Sequence, residues 1–403
     1  MDRRHLVRQA VLDANQELAG YSLQVREGRA AGRGLYAPSH GAARTLLNAV
    51  NSPSFGQLVG EAHAFLDLPG EFLYQELEAF LPQGQGFLML PQPAVEPGLK
   101  EAVRARQKAS LRIGFEVVAA DEEAAALADI ADVLRFDLTR FANPSDLTGG
   151  VAPFRRGTAR WLAASVHSQE DFQRCRALGF SLFQGQFFTE PAVFSSDALS
   201  PRQTALLDLF GQLTDDAEFA DLEVTFKHHP DLSHQLLELL NSAAFRRREP
   251  IYSIRQALVL LGKTNLRKWV ALLLFTGDND GDGRNPLFDE AVIRARTMEL
   301  AAARIQNSDA FTGSAFLTGV FSVIQALLMR PIQQVVSDLN LDRPIASALL
   351  EHRGVLGQLL TAVVQLREQG DLAPEMVIGE RTFRERDWYG FEEQAAFEYS
   401  VGG

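Results

Sequence analysis

The sequence is short of the features that mark secreted and membrane-spanning proteins. It has one cysteine, Cys175, so no internal disulfide framework can form and a reducing compartment, the cytoplasm, is expected. No run approaches the roughly 18 apolar residues that cross a bilayer. The N-terminal stretch lacks the apolar core and the cleavage site of a secretory signal. A cytoplasmic protein without a membrane segment is therefore predicted.

Positive charge is also scarce. The 403 residues carry 39 lysines and arginines against 51 aspartates and glutamates, a net charge of −12. Phosphate contacts need clustered Lys and Arg, so direct nucleic-acid binding is not expected. The densest basic run, FRRREP at 245–250, is typical of a solvated loop.

What the first half does contain is a series of short apolar runs with strand length. They are GFLMLP (86–91), LRIGFEVVA (111–119), DVLRFDL (132–138), RWLAASV (160–166) and FSLFQGQFF (180–188). Helical patterns separate them, as in 168–179, where Ser168 can cap the helix start. Such repetition after a hairpin-like pair at 6–27 predicts α/β architecture, a closed TIM-like barrel with helices outside.

The pattern changes near residue 190. The stretch TEPAVFSSDALSP is rich in Pro, Ser and Ala and has no period, which indicates a domain boundary. Beyond it the apolar residues recur with helical spacing and no convincing strand intervenes. The sequence therefore predicts a barrel domain over 1–190, a linker over 191–200 and an all-helical domain over 201–403.

One stretch of the barrel half interrupts its own pattern. In GFSLFQGQFFTEP, residues Gln184 and Gly185 break a run of Phe and Leu that suits a buried strand. Glycine inside a strand indicates a bulge or the close approach of another group to the backbone. A bulge at the strand end and a ligand pressed against the strand both remain open.

These segments resemble two known domains. LFQGQFFTEP (182–191) and ADVLRFDL (131–138) are similar to the closing strand and the ADIVKID strand of EAL domains, the barrel phosphodiesterases that linearise cyclic di-GMP. HHPDLSHQLLELLNSAAF (228–245), followed by YSIRQALVLLG (252–262), resembles the HDOD domain, a helical relative of HD hydrolases without their metal ligands. In this order they resemble the EAL–HDOD signalling proteins over nearly the whole chain.

The resemblance implies that most of the family's metal and catalytic residues are replaced here. The Glu of the EAL motif falls on Ser22, the next Glu on about Met89, and the Lys and Glu of the AEKVE strand on Ser165 and His167. In the helical half, Ser322-Val323 takes the place of the His-Asp pair. A thioether and a hydroxyl cannot replace carboxylates around a hard divalent ion.

The resemblance also implies what remains of a nucleotide pocket. Arg26 resembles an arginine that contacts a phosphate, and Gln184 a residue that faces a guanine edge. Asp67 and Asp137, with Glu116 at the position of a paired Asp-Asp, remain as oxygen ligands. The alternative for Asp67 and Asp137 is that they are polar groups satisfied by backbone donors. From this deficit we expect no catalytic residues, no metal or other cofactor, and no enzymatic activity.

Three functions follow from the resemblance. The leading prediction is a non-catalytic signal-transduction adaptor that docks other signalling proteins through its helical domain. The alternatives are a cyclic di-GMP receptor that binds without hydrolysis, and an active cyclic di-GMP phosphodiesterase.

One further motif suggests calcium. DNDGDGRNPLFD fits an EF-hand loop, with Asp278, Asp280, Asp282 and Asp289 at positions 1, 3, 5 and 12. Pro286 at position 9 and an Asp in place of the final Glu fit poorly. A solvated connecting loop is therefore the preferred reading of this stretch, and a calcium site is the alternative.

Overall fold

The computed structural model describes most of the chain. The described residues are 4–402 apart from 28–38, 51–54, 56–58, 61, 76–85, 119–120, 142, 192–198, 243–249, 277–284 and 370–371. The basic run near 245–250 therefore lies almost wholly outside the described residues. Within the described part, no helix is both long and apolar enough to cross a membrane.

The first half forms a closed eight-stranded barrel, as predicted. In chain order the strands are β1 (Arg4–Asp13), β2 (Leu18–Glu27), β3 (His63–Asp67), β4 (Gly86–Pro91), β5 (Arg112–Val117), β6 (Val133–Asp137), β7 (Arg160–Val166) and β8 (Leu182–Gly185). Strand β1 runs antiparallel to both β2 and β8, and all other neighbours are parallel. The carboxyl ends of β2 to β8 consequently meet at one end of the barrel.

Alternation of side chains along each strand separates two apolar layers. Inward-facing residues such as Val11, Phe65 and Met89 fill the barrel interior, and outward-facing ones pack against the surrounding helices. Those helices are α1 (His40–Val50), α2 (Leu99–Lys108), α3 (Glu122–Ala125), α4 (Pro144–Val151) and α5 (Gln169–Leu178). Ser168 caps α5, accepting a hydrogen bond from the Asp171 amide, as expected.

The spacing of apolar residues in the first half also predicts helices over 70–81 and 121–131, and the described residues there form shorter elements. The run 70–81 forms only a 3₁₀ turn, Gly70–Tyr74, before the described residues stop at 75. The run 121–131 forms α3 and then a 3₁₀ turn, Ala126–Asp129. This 3₁₀ turn is followed by only three residues before β6 begins at Val133.

The interruption at Gln184-Gly185 reflects strand packing at the end of the barrel. The register of β7 against β8 shifts between Ala163 and Val166, and Ser165 between them has a positive φ of 59°. A Cβ atom on Gly185 would lie 2.0 Å from the Val166 carbonyl oxygen. The bulge therefore lies on the neighbouring strand, and the glycine permits the close approach of the two backbones.

The second half is helical, as predicted. Its helices are α6 (Pro201–Thr214), α7 (Phe219–His228), α8 (Pro230–Asn241), α9 (Ile254–Leu273), α10 (Pro286–Ile305), α11 (Asp309–Phe321), α12 (Ile324–Leu328), α13 (Ile332–Asp338), α14 (Arg343–Glu351), α15 (Gly354–Gln369) and α16 (Glu385–Gly402). They enclose one large apolar core. A Ser200–Gln203 capping box starts α6 directly after the predicted linker.

The C-terminal segment contains a hairpin that the sequence reading did not predict. Strands β9 (Glu375–Ile378) and β10 (Arg381–Arg384) pair antiparallel, with Ile378 opposite Arg381. The two-residue turn uses Gly379 at a φ of +60°, the conformation that tight hairpins require. The aromatic residues that follow are largely in the helical core, with Trp388 fully buried.

Candidate functional site

The carboxyl end of the barrel holds a group of buried polar side chains. Asp67 ends β3, Glu116 lies near the end of β5, Arg135 lies in β6 and Gln184 in β8. All four side chains are buried. Because alternate residues of a barrel strand face its interior, side chains that are far apart in the sequence are gathered at this end of the barrel.

Arg135 forms ion pairs with both carboxylates of this group. Its Nη1 lies 2.7 Å from Asp67 Oδ1 and its Nη2 lies 2.6 Å from Glu116 Oε2. Arg140 is more distant, 3.9 Å from Glu116 Oε1. One buried guanidinium is thus shared by two buried carboxylates, so these three side chains, when all are ionised, carry a net charge of −1.

Asp67 is the least satisfied member of the group. It is 6% exposed, and neither carboxylate oxygen accepts a hydrogen bond of normal geometry, although Arg135 lies within ion-pair distance. Burial raises the pKa of Asp67, and the nearby Glu116 charge adds to this, while Arg135 opposes both. Burial alone would lower the pKa of Arg135, but its two carboxylate partners raise it. A buried acid with a raised pKa at one end of a barrel is a frequent mark of a binding site.

Replacing Asp67 with asparagine is expected to leave the stability at pH 7 equal to or above that of the wild type. The raised pKa means that folded Asp67 holds its proton more tightly than unfolded Asp67. Stability from this group is therefore present at low pH and lost as pH rises through the folded pKa. Urea unfolding of both proteins between pH 4 and pH 8 should show the variant gaining on the wild type as pH rises. A loss of more than about 2 kcal/mol at pH 7 would show that the ion pair with Arg135 dominates.

Two of the other predicted pocket residues, Asp137 and Gln184, have hydrogen-bond partners of their own. Asp137 ends β6 and caps the following turn, accepting hydrogen bonds from the Thr139 amide at 3.0 Å and its hydroxyl at 2.9 Å, the local role that had been left open for it. Gln184 donates to Gln9 Oε1 at 2.7 Å, and its own Oε1 is buried without a partner. Arg26 lies in β2 opposite His5 of β1, and its side chain is outside the described part.

The barrel end, as arranged, does not fit a divalent metal ion. The described residues contain no group of three His, Cys, Asp or Glu side chains placed to hold one. Asp67 and Glu116 already share the guanidinium of Arg135, and an ion could bind both only if Arg135 moved. We therefore derive no chemical step through a metal.

The predicted calcium loop is only partly described. Asp278, Asp280 and Asp282 lie outside the described residues. Asp289 lies in the first turn of α10, where it pairs with Arg8 at 3.2 Å and accepts a hydrogen bond from the Tyr21 hydroxyl. The proposed twelfth ligand thus faces the barrel and already has a cationic partner.

Sequence reasoning missed Arg135. The period of two was a usable signal, because Arg135 lies two residues before Asp137 and so on the same face of β6. It also missed Arg8 and Arg294, which bind across the two domains. Their partners are more than 100 residues away, and a single sequence carries no signal for such a pairing.

Comparison with known proteins assigns the helical half. Residues 204–354 match the HDOD domain model, so the predicted HDOD domain is confirmed. A protein of Vibrio cholerae serotype O1 named cyclic di-GMP phosphodiesterase CdgJ is 26% identical over 395 residues, covering 96% of this chain and 87% of the relative. The uncharacterised protein YuxH of Bacillus subtilis is 25% identical over 373 residues, 90% of each chain.

Solved structures similar to the barrel half are EAL proteins. An EAL domain protein of Listeria monocytogenes matches 46% of this chain and 87% of its own, with 14% identity and a TM-score of 0.37. Klebsiella pneumoniae BlrP1, in a complex with calcium and cyclic di-GMP, matches 45% of this chain and 54% of its own, with 13% identity and a TM-score of 0.36.

The expectation that the protein is not an enzyme is wrong by this comparison. It rested on the replacement of family carboxylates at positions such as Ser22 and Met89. The relative from Vibrio cholerae matches nearly the whole chain and is named a phosphodiesterase. Replacements assigned from motif spacing in one sequence are therefore no basis for ruling out activity.

Proposed function

From a chain that carries an HDOD domain behind a closed eight-stranded barrel, we propose a protein of cyclic di-GMP signalling that binds this dinucleotide at the carboxyl end of its barrel. The single observation that carries the proposal is the buried Asp67 carboxylate, which shares its guanidinium partner Arg135 with Glu116. The similarity to a named cyclic di-GMP phosphodiesterase along 96% of the chain supports the choice of ligand.

The chemistry of the ligand complements this site. A guanine edge presents N–H donors; Gln184 Oε1 is a buried acceptor without a partner, and Asp67 is a buried carboxylate whose guanidinium partner is shared with Glu116. Satisfying buried acceptors contributes to affinity because leaving them unpaired is costly. Arg26, at the same end of β2, is the proposed contact for a phosphate.

Hydrolysis of the dinucleotide is the second candidate, and the named activity of the Vibrio cholerae relative favours it. The oxygen groups of this chain that could take part are Asp67, Glu116 and Asp137. Incubation with cyclic di-GMP in magnesium or manganese buffer, followed by chromatography, tests it directly. Appearance of the linear dinucleotide supports hydrolysis, and unchanged substrate at high enzyme concentration rejects it.

We also propose that the helical half binds partner proteins and that the protein is cytoplasmic. Tyr252, Val259 and Leu260, at or near the start of α9, are exposed large apolar side chains. Surface apolar groups of this kind contact partner proteins. Other signalling proteins are the proposed partners.

Calorimetric titration with cyclic di-GMP, with and without Mg²⁺, tests ligand binding. We expect a saturable heat with the wild type and about a tenfold weaker affinity in Gln184→Ala, which removes an acceptor worth about 1 kcal/mol or more. Gln107→Ala is the matched control, because Gln107 donates to Ile130 and Asp132 before β6, at the opposite end of the barrel. Absence of heat in the wild type would reject the proposal.

A further inference from the structure

The hairpin of β1 and β2 belongs to both domains. These strands have ten residues each, while the other barrel strands have four to seven. His5 Nδ1 lies 2.8 Å from Glu393 Oε2 of α16, and the Leu6 amide donates to the same carboxylate at 3.3 Å. The Gln9 side chain donates to the Arg367 carbonyl of α15 at 3.2 Å.

Next to this hairpin lies a buried network of charges. Three guanidiniums and three carboxylates, each at most 4% exposed, take part: Arg8, Arg294, Arg367, Asp289, Glu290 and Glu392. Glu290 is central, 2.8 Å from Arg294 Nε and 2.7 Å from Arg367 Nη2. The cleft between the domains here has a volume of ≈ 10 Å³, about the space of one water molecule.

Two short chains of contacts connect the barrel end with this network. Gln184 is bonded to Gln9, which in turn donates to the Arg367 carbonyl. Gln186, two residues after Gln184, accepts from Arg294 Nη2 at 3.0 Å. Both chains of contacts converge on Glu290, because Arg367 and Arg294 are its two cationic partners.

The segment from Gln184 to Gln186 is closely packed. Gly185, between the two glutamines, packs so closely on Val166 that even a methyl group has no room. Gln186 itself is 4% exposed. In a closely packed region a shift of one side chain displaces its neighbours, so a change at Gln184 is transmitted to Gln186 and Arg294.

We propose that helices α10 and α15 of the HDOD half respond to occupation of the barrel end through the Gln184–Gln9 and Gln186–Arg294 contacts. A ligand that donates a hydrogen bond to the free Oε1 of Gln184 shifts the same amide group whose Nε2 donates to Gln9, and thereby alters both contact chains. The identity of that ligand as cyclic di-GMP rests on the proposed function. The coupling between barrel end and helices rests on the contacts alone.

Amide hydrogen exchange without ligand tests the coupling. Gln184→Ala removes the donor to Gln9, and we expect exchange in α10 and α15 to accelerate about fivefold or more relative to wild type. Gln24→Ala is the matched control, since Gln24 lies on β2 at the same end and its side chain bonds Ser22 and Asp67 rather than either contact chain. Unchanged exchange in Gln184→Ala, or equal acceleration in Gln24→Ala, would overturn the proposal.

The reverse direction is tested with ligand. Arg294→Met should change the affinity for cyclic di-GMP at least about threefold, because coupling between two sites is reciprocal. Arg296→Met should leave it unchanged, since Arg296, on the same helix, pairs with Glu299 and Glu398 instead. Equal affinities in wild type and Arg294→Met would overturn the coupling. No binding to wild type would reject the ligand, while the exchange experiment still decides the coupling.

Discussion

Glu290→Gln is expected to lower the free energy of unfolding by about 3–5 kcal/mol. Glu290 is 2% exposed and is the shared partner of Arg294 and Arg367. Glutamine keeps the shape and can still accept a hydrogen bond, but it leaves two buried guanidiniums without that negative charge. Uncompensated buried charges are among the most destabilising defects in a folded protein.

The effect of Glu290 has a defined pH dependence. Burial alone would raise its pKa, but Arg367 and Arg294 outweigh burial and lower the pKa to about 2 from an ordinary 4.5. The carboxylate therefore stabilises the fold fully above pH 4.5, and this contribution of about 3 kcal/mol is lost as pH falls towards 2. The difference between wild type and Glu290→Gln should shrink over the same range.

Urea unfolding at a series of pH values measures both effects. Glu398→Gln is the control, because Glu398 of α16 pairs with Arg296 of α10 and its side chain is 38% exposed. Exposed ion pairs contribute about 0–1 kcal/mol, so this variant should unfold close to wild type. A loss in Glu290→Gln no larger than in Glu398→Gln would contradict a stabilising role for the buried network.

Gly185→Ala is expected to destabilise the barrel by about 3 kcal/mol or more and to abolish binding at the barrel end. The added Cβ would lie 2.0 Å from the Val166 carbonyl oxygen and 2.6 Å from its nitrogen. Both atoms are backbone, so they can yield only if β7 and β8 separate. Separation would displace Gln184 and Gln186, which flank the glycine.

Gly179→Ala is the matched control for this substitution. Gly179 also has a positive φ, +103°, at the end of α5, but an added Cβ meets nothing within 4 Å. Its expected cost is the conformational one alone, about 1–2 kcal/mol, with ligand binding retained. Thermal unfolding and calorimetry of both variants separate the two causes, and equal losses would argue against the steric explanation.

The barrel was predictable because its strands are apolar runs of the right length between helical patterns. The runs at 86–91 and 160–166 became β4 and β7 with the bounds that the sequence gives. Strand β3 was not predicted as a strand because its apolar run covers only 64–66, between the polar residues His63 and Asp67. The hairpin of β9 and β10 was missed because each strand has four residues of mixed polarity, although its Ile-Gly-Glu-Arg turn was a usable signal.

The site was predictable only in part. Asp67, Glu116 and Gln184 were expected from the family resemblance, and the structure buries all three near the carboxyl end of the barrel. Arg135, the cation between the two carboxylates, was not predicted. The period of two indicates on which face of β6 it lies, but only the pairing of neighbouring strands decides its partners. The contacts of Gln186 with α10 depend on how two domains dock, which local patterns do not encode.

The pairing of His5 with Glu393 joins residues 388 positions apart, and this has a consequence during synthesis on the ribosome. The barrel strands are complete by residue 185, whereas the helix that covers the β1–β2 hairpin emerges some 200 residues later. At elongation rates of about 5–20 residues per second, Asp289, the carboxylate partner of Arg8, is made about 5–20 seconds after the last barrel strand, and the last helix begins about 10–40 seconds after that strand.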